Sequence, residues 1–306
     1  MNSGWTYRDR IGAQDAGTPA ISYYAERYRH SDETVWRRRM ERGEILRGGE
    51  RLAPEDILGA GDELEWTRPP WEEPPVPTDI PVLYEDHAVL AVDKPAGLPV
   101  LANGLYLENT LVHMLRDHCG EDGLPPVPVH RLGRGTSGLI LLARTKHARE
   151  HLCAQFRRTT SRDGGETLRK IYRTITADVP ELSGTIEISN PIGPVPHERL
   201  GCVHAASPSG RPSYSICRVL SRREGRMLWE VEIVTGRPNQ IRIHLASIGA
   251  PLIGDPFFGS DGLPLQGVDA LPADEGYTLR SCYLRFVHPD TGKPFEITAP
   301  IPPELM

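Results

Sequence analysis

No stretch of the 306-residue chain stays apolar long enough to cross a bilayer. A helical span needs about 20 such residues, and runs such as Leu139–Ala143 stop at five. The opening MNSGWTYRDR lacks the apolar core of a secretory signal, so nothing supports export, and a cytoplasmic protein is expected. Cysteine is scarce and odd in number: Cys119, Cys153, Cys202, Cys217 and Cys282, with no Cys-x-x-Cys pair. That disfavours a disulfide framework or a zinc site and fits reduced thiols. His204, His244 and His288 have no zinc-ligand spacing either, so they are read as structural or RNA-facing. Glycine (30) and proline (29) are plentiful but follow no repeat, which excludes a fibrous protein. One local absence matters most: no aspartate or glutamate occurs from Gly123 through Arg149.

The net charge of −6 does not exclude a nucleic-acid partner, because the charge is unevenly spread. From His130 to Arg173 there are eleven Lys and Arg against three acids, whereas Leu52 to Leu90 holds ten acids against Arg68 alone. A basic stretch of this kind either forms a positive surface or is simply a solvated, arginine-rich face.

Residues 1–20 are polar and expected to be poorly anchored. Residues 21–66 form a small module, in which Ser31 or Asp32 caps a helix carrying Val35, Trp36, Arg39 and Met40. Five prolines between Arg68 and Pro77 make residues 67–78 a stiff linker. The remainder, 79–306, reads as α+β. Strands are expected in Val82–Val92 (broken at Glu85-Asp86-His87), Gly138–Ala143, Arg169–Ala177, Ser213–Leu220, Met227–Thr235, Ser281–Val287 and Pro294–Ala299. Glu224-Gly225 should turn an antiparallel hairpin. Helices are expected at Thr110–His118, Thr145–Arg157 (with Ala148, Leu152 and Phe156 on one stripe) and Gln240–Ile248. Strands grouped between few helices argue against a doubly wound sheet.

Four patterns carry candidate chemistry. Asp93-Lys94-Pro95-Ala96-Gly97 is the first. Next, the loop His130-Arg131-Leu132-Gly133-Arg134-Gly135-Thr136-Ser137-Gly138 sets arginines among glycines, which suits either a phosphate-binding turn or a tight structural one. In Lys170-Ile171-Tyr172-Arg173, the tyrosine is either an ordinary half-buried sheet residue or a platform for a flipped base, with Lys170 and Arg173 tracking the nucleic-acid backbone. Last comes Thr235-Gly236-Arg237-Pro238-Asn239-Gln240-Ile241-Arg242-Ile243-His244-Leu245. There Arg237 ends a strand, ready to orient an anion or to form a surface ion pair. Asp255 reads as a turn residue.

In order and content these patterns, with Leu284-x-Phe286-x-His288-Pro289 at the end, resemble the pseudouridine synthases of the RluA type over roughly Val82–Pro303. The module at 21–66, ending Gly61-Asp62-Glu63-Leu64, resembles a small ribosomal-protein-type RNA-binding domain. The resemblance implies a mainly antiparallel mixed sheet with flanking helices, and isomerisation of uridine to pseudouridine in structured rRNA or tRNA by base flipping. It implies a monomer, no metal, no organic cofactor and no membrane. It makes Tyr172 the stacking residue, Arg237 the ion-pair partner of the essential acid and Ile241 the pocket floor. Arg131 would eject or hold the nucleotide. RNA contacts are expected from His130, Arg131, Arg134, Thr136, Lys170, Arg173, Gln240, Ile241, Arg242 and His244.

The match breaks where the family carries its aspartate, because this chain has Gly133 there, and Gly135 where a second acid is common. Glycine has no group to act as nucleophile or base. Thr136 and Ser137 are present, but a hydroxyl without an adjacent base is a poor replacement. Two expectations follow: an active synthase drawing on another acid such as Glu232, Asp93 or Asp255, or a catalytically silent RNA-binding protein or chaperone on the same scaffold. The segment Ser161–Glu166 is expected to be a mobile hairpin tip facing RNA.

Overall fold

The computed structural model describes residues 1–28, 30–119, 123–158 and 168–306, and the expected tip at Ser161–Glu166 lies outside them. The chain divides into two units, Met1–Glu73 and Pro74–Met306.

In the first unit, β1 (Trp5–Arg10), α1 (Ala20–Arg27), α2 (Glu33–Glu41), β2 (Ile45–Arg47), β3 (Glu50–Arg51) and β4 (Glu63–Arg68) form a sheet of order β1-β4-β2-β3 with two helices. Asp32 caps α2 by accepting from the Val35 amide at 2.8 Å. The expectation of a poorly anchored N-terminus is corrected. Residues 5–10 pair along their whole length with β4, and Tyr7 stacks on Trp66 with centroids 4.9 Å apart. Cross-strand aromatic pairing of this kind holds an otherwise polar strand in place.

In the second unit, β5 (Val82–Glu85) and β6 (Val89–Lys94) lead to α3 (Leu111–Met114), β7 (Val127–Pro128), β8 (Thr136–Ala143), α4 (Lys146–Arg158) and β9 (Arg169–Ala177). Then come β10 (Thr185–Ile188), β11 (Ile192–His197), β12 (Gly201–Ala206), β13 (Ser215–Arg223), β14 (Arg226–Ile233), α5 (Gln240–Ser247), β15 (Leu279–Val287) and β16 (Pro294–Thr298). Their main sheet runs β10-β13-β14-β9-β15-β8-β6-β5, with β16 on β15 and β7 on β8. Strands β6 and β8 are buried on both faces, and the two-residue period divides their side chains between two cores. Leu90, Val92, Ile140 and Leu142 join Trp229, Val231, Ile241 and Leu245 on one face. Val89, Ala91, Leu139 and Leu141 join Ala148, Leu152 and Phe286 on the other. Helix α5 therefore covers one side and α4 the opposite side.

Apart from the parallel β8–β15 pair, the sheet is antiparallel. Gly138 allows that pair to form. Its φ is +100°, and a Cβ there would lie 2.2 Å from the Ser281 carbonyl oxygen. The β13–β14 hairpin turns on Glu224 and Gly225, both left-handed at φ of 51° and 71°, which matches the twist of the flanking strands.

Candidate active site

Alternation along β9 sets one wall of the site. Lys170, Tyr172, Thr174 and Thr176 are buried on the inner face, while Arg169 and Arg173 lie on the other. Facing them is the 130–137 loop, which is tied down from two directions. Lys94 donates its ammonium protons to the carbonyls of Pro95, Leu98 and Arg134 at 2.8, 2.8 and 3.2 Å, and the Gly97 amide also donates to Arg134. Burial pushes Lys94 down to about 7, and the charge of Glu275 opposes that shift. From below, the Leu141 amide donates to His130 Nε2 at 3.1 Å, and the His130 ring stacks on Phe156 with centroids 4.8 Å apart. Burial, then the nearby Lys170 charge, brings His130 down to about 3, so it stays neutral.

The third wall precedes α5. Gln240 accepts from the Thr235 hydroxyl at 2.7 Å and the Arg237 amide at 3.0 Å, and donates to the Tyr214 carbonyl and Ser215 hydroxyl at 3.0 and 2.8 Å. All of its amide atoms are thus engaged in shaping the turn that presents Arg237. The Arg237 guanidinium donates from Nε and Nη2 to the Pro212 carbonyl at 3.1 and 3.0 Å. Burial, and then the charge of Arg211, lowers its pKa. Among the described residues no carboxylate pairs with it.

Together these walls line an open cavity of about 450 Å³. Tyr172 and Arg237 share it, joined by His130, Arg131, Thr136 and Lys170. Gln240, Ile241 and Arg242 complete the floor. Tyr172 is held with its hydroxyl beside Ser281, and burial pushes that phenol up to about 12. No aspartate or glutamate is among the described lining residues. Gly133 lines the cavity too. A Cβ added there would meet only Thr136 Oγ1 at 3.5 Å and Tyr277 Oη at 3.7 Å, without a left-handed φ, so the backbone does not demand glycine. Gly135 differs, because a Cβ there would press to 3.0 Å against the Tyr277 ring.

Three expected RNA contacts lie outside the cavity lining, and their side chains have other partners. Arg134 reaches Tyr106 Oη at 2.7 Å, Asp274 at 3.2 Å and Glu275 at 3.5 Å. Arg173 donates to the Leu305 carbonyl at 2.7 Å. His244 is fully buried between the Ser215 hydroxyl at 2.9 Å and the Asn190 carbonyl at 3.0 Å. Arg242 does line the floor, but its guanidinium makes a two-pronged ion pair with Asp255, both contacts at 2.7 Å, and lies over the Tyr277 ring at 4.3 Å. The basic stretch is therefore less open than its composition suggests, since Arg144 and Arg169 also pair, with Glu85 and Glu232.

The three acids considered as replacements are all engaged: Glu232 with Arg169 at 2.9 Å, Asp93 with Arg280 at 2.6 Å and Asp255 with Arg242. None of them lines the cavity. Two contributors escaped the sequence reading. Phe156 ends the apolar stripe of α4 yet borders the cavity, and Tyr277 covers Gly135 from a loop without a recognisable pattern.

Residues 88–247 match the family model described as RNA pseudouridylate synthase. An uncharacterized RNA pseudouridine synthase of Synechocystis is 43% identical over 94% of this chain and 95% of its own length. RNA pseudouridine synthase 5 of Arabidopsis thaliana is 35% identical, covering the whole of this chain and 95% of that one. Ribosomal large subunit pseudouridine synthase D of Neisseria meningitidis is 32% identical over 91% of this chain and 73% of its own. The chain belongs to the RNA pseudouridine synthases of the RluA type. Human RNA pseudouridylate synthase domain containing 1 shares the fold, with a TM-score of 0.57 at 21% identity over 77% of this chain and 89% of that one.

Proposed function

We propose that the protein isomerises uridine to pseudouridine in structured RNA, ribosomal or transfer, on a nucleotide flipped out of its helix. The observation that carries this reading is the shared cavity: Tyr172 and Arg237, from distant parts of the chain, line one open pocket. Flipping costs a few kcal/mol, which stacking and phosphate contacts recover. Tyr172 supplies the stacking face, and Arg131 and Arg237 supply positive charge for the nucleotide. In the same reading the unit Met1–Glu73 adds RNA contacts of its own. A second reading, a catalytically silent RNA-binding protein or RNA chaperone, is favoured by one observation: the lack of a carboxylate among the described lining residues.

Binding to structured RNA at a series of salt concentrations, paired with quantification of pseudouridine in the product, tests both. Synthase activity gives new pseudouridine that Tyr172→Ala abolishes. Steeply salt-dependent binding without product supports the silent reading. Flat salt dependence contradicts both.

A further inference from the structure

The cavity lacks a carboxylate but holds an amine that nothing in the reading above uses. Lys170 is only 6% exposed, and its side chain points into the cavity on the same strand face as Tyr172. A methyl group placed on Gly236 would lie 3.9 Å from its Nζ, so the amine sits against the turn that carries Arg237. Among the described residues it has no hydrogen-bond acceptor and no acidic partner, and the Phe156 ring lies 5.9 Å from Nζ. Lys94 is the instructive contrast. It is fully buried too, but three carbonyls occupy its ammonium protons, which makes it a structural tie.

We propose that Lys170 is the proton acceptor of the isomerisation, taking the part that an aspartate at Gly133 would take; this rests on the synthase reading above. Its amine lone pair removes the ribose C2′ proton, and the C2′–H electron pair becomes the C1′–C2′ double bond. The N1–C1′ bond breaks with its electron pair retained by uracil as the anion. Arg237, which no described carboxylate neutralises, faces the same cavity and meets that anion. After the base turns, C5 bonds to C1′ as the Lys170 ammonium returns its proton to C2′. The C5 proton then moves to N1. Every proton and electron pair is accounted for without an external reactant.

The surroundings suit an amine poised between its two forms. Among the described residues, the other titratable groups facing the cavity are His130 and Arg131 from the loop, Tyr172 from β9, and Arg237 and Arg242 from the turn and α5. His130 stays neutral, and Arg242 is neutralised by Asp255. Burial brings Lys170 down to about 8, so about one-tenth is the free amine at pH 7.

The test compares wild type with Lys170→Arg and Lys170→Met on RNA from cells lacking the protein, reading single-turnover pseudouridine formation, RNA affinity and pH dependence. The expected wild-type rate climbs from pH 7 and levels near pH 9. Both variants should lose at least about 100-fold in rate, with Lys170→Arg retaining RNA affinity and all three proteins melting alike. If Lys170→Arg keeps the wild-type rate and pH profile, Lys170 is merely a cation, and the assignment falls while the synthase reading stands. If wild type forms no pseudouridine, both fall. NMR titration of the Lys170 side-chain nitrogen gives a substrate-free check: a midpoint near 8 is expected, and one above 10 overturns the proposal.

Discussion

Replacing Asp255 by asparagine isolates the ion pair beneath the cavity. The side chains of Asp255 and Arg242 are each 1% exposed, and the guanidinium meets both carboxylate oxygens at 2.7 Å. Oδ1 also accepts from the Phe257 and Phe258 amides at 2.9 and 3.1 Å. Asparagine keeps the shape and one acceptor oxygen but sets an NH2 against a guanidinium and leaves a buried cation uncompensated. Removing one partner of such a pair costs ~3–5 kcal/mol. The Pro272 carbonyl and the Tyr277 and Phe258 rings around Arg242 soften the loss, so the lower end is expected. For a unit of this size about 3 kcal/mol corresponds to a fall of ~6–12 °C in melting temperature. Urea unfolding followed by hydrogen exchange in peptides from β8, β9 and β14 reports on Pro74–Met306 alone. Adding Arg242→Met to Asp255→Asn should restore at least about 1 kcal/mol by removing the orphaned charge. A loss under about 1 kcal/mol for Asp255→Asn, with no recovery in the double variant, would refute the reasoning.

Two further outcomes follow from the same contacts. His244 accepts from Ser215 and donates to Asn190, so its ring is neutral when folded, and burial holds it down to about 4. The unfolded chain takes up that proton near pH 6.5, so stability is fully present above that pH and is lost as pH falls toward 4. Between pH 7 and 5 the loss is about 2 kcal/mol, and a His244→Gln variant should lack that component in denaturation curves. Gly133→Asp should fold with less than about 1 kcal/mol of change, since its Cβ meets only ordinary contacts, whereas Gly138→Ala should cost more than about 3 kcal/mol because its Cβ would collide with the Ser281 carbonyl; thermal melts of the two variants side by side check this.

Much of this architecture could be read from local pattern. Strand β9 was legible because it is rich in β-branched and aromatic residues (Ile171, Tyr172, Thr174, Ile175 and Thr176), and the β13–β14 hairpin because Glu224-Gly225 interrupts two β-branched runs. Strand β11 was hidden, since its prolines at 194 and 196 argue against a strand unless it pairs along one edge, as it does with β12. Strand β1 was hidden because its anchoring comes from aromatic partners on β4, far along the chain. In the site, motif spacing found the residues but not their roles. Lys170 and Arg173 look alike within Lys-Ile-Tyr-Arg, yet strand periodicity sends one into the cavity and the other to the Leu305 carbonyl. His244 and Gln240 look like surface contacts until their polar atoms are found bound within the protein.

The most direct measurement treats RNA from cells lacking this protein with wild type or with Tyr172→Ala and maps pseudouridine at single-nucleotide resolution. A cavity built to hold an extruded uridine predicts discrete new positions with wild type and none with the variant. Tight RNA binding by wild type without a single new position would contradict it.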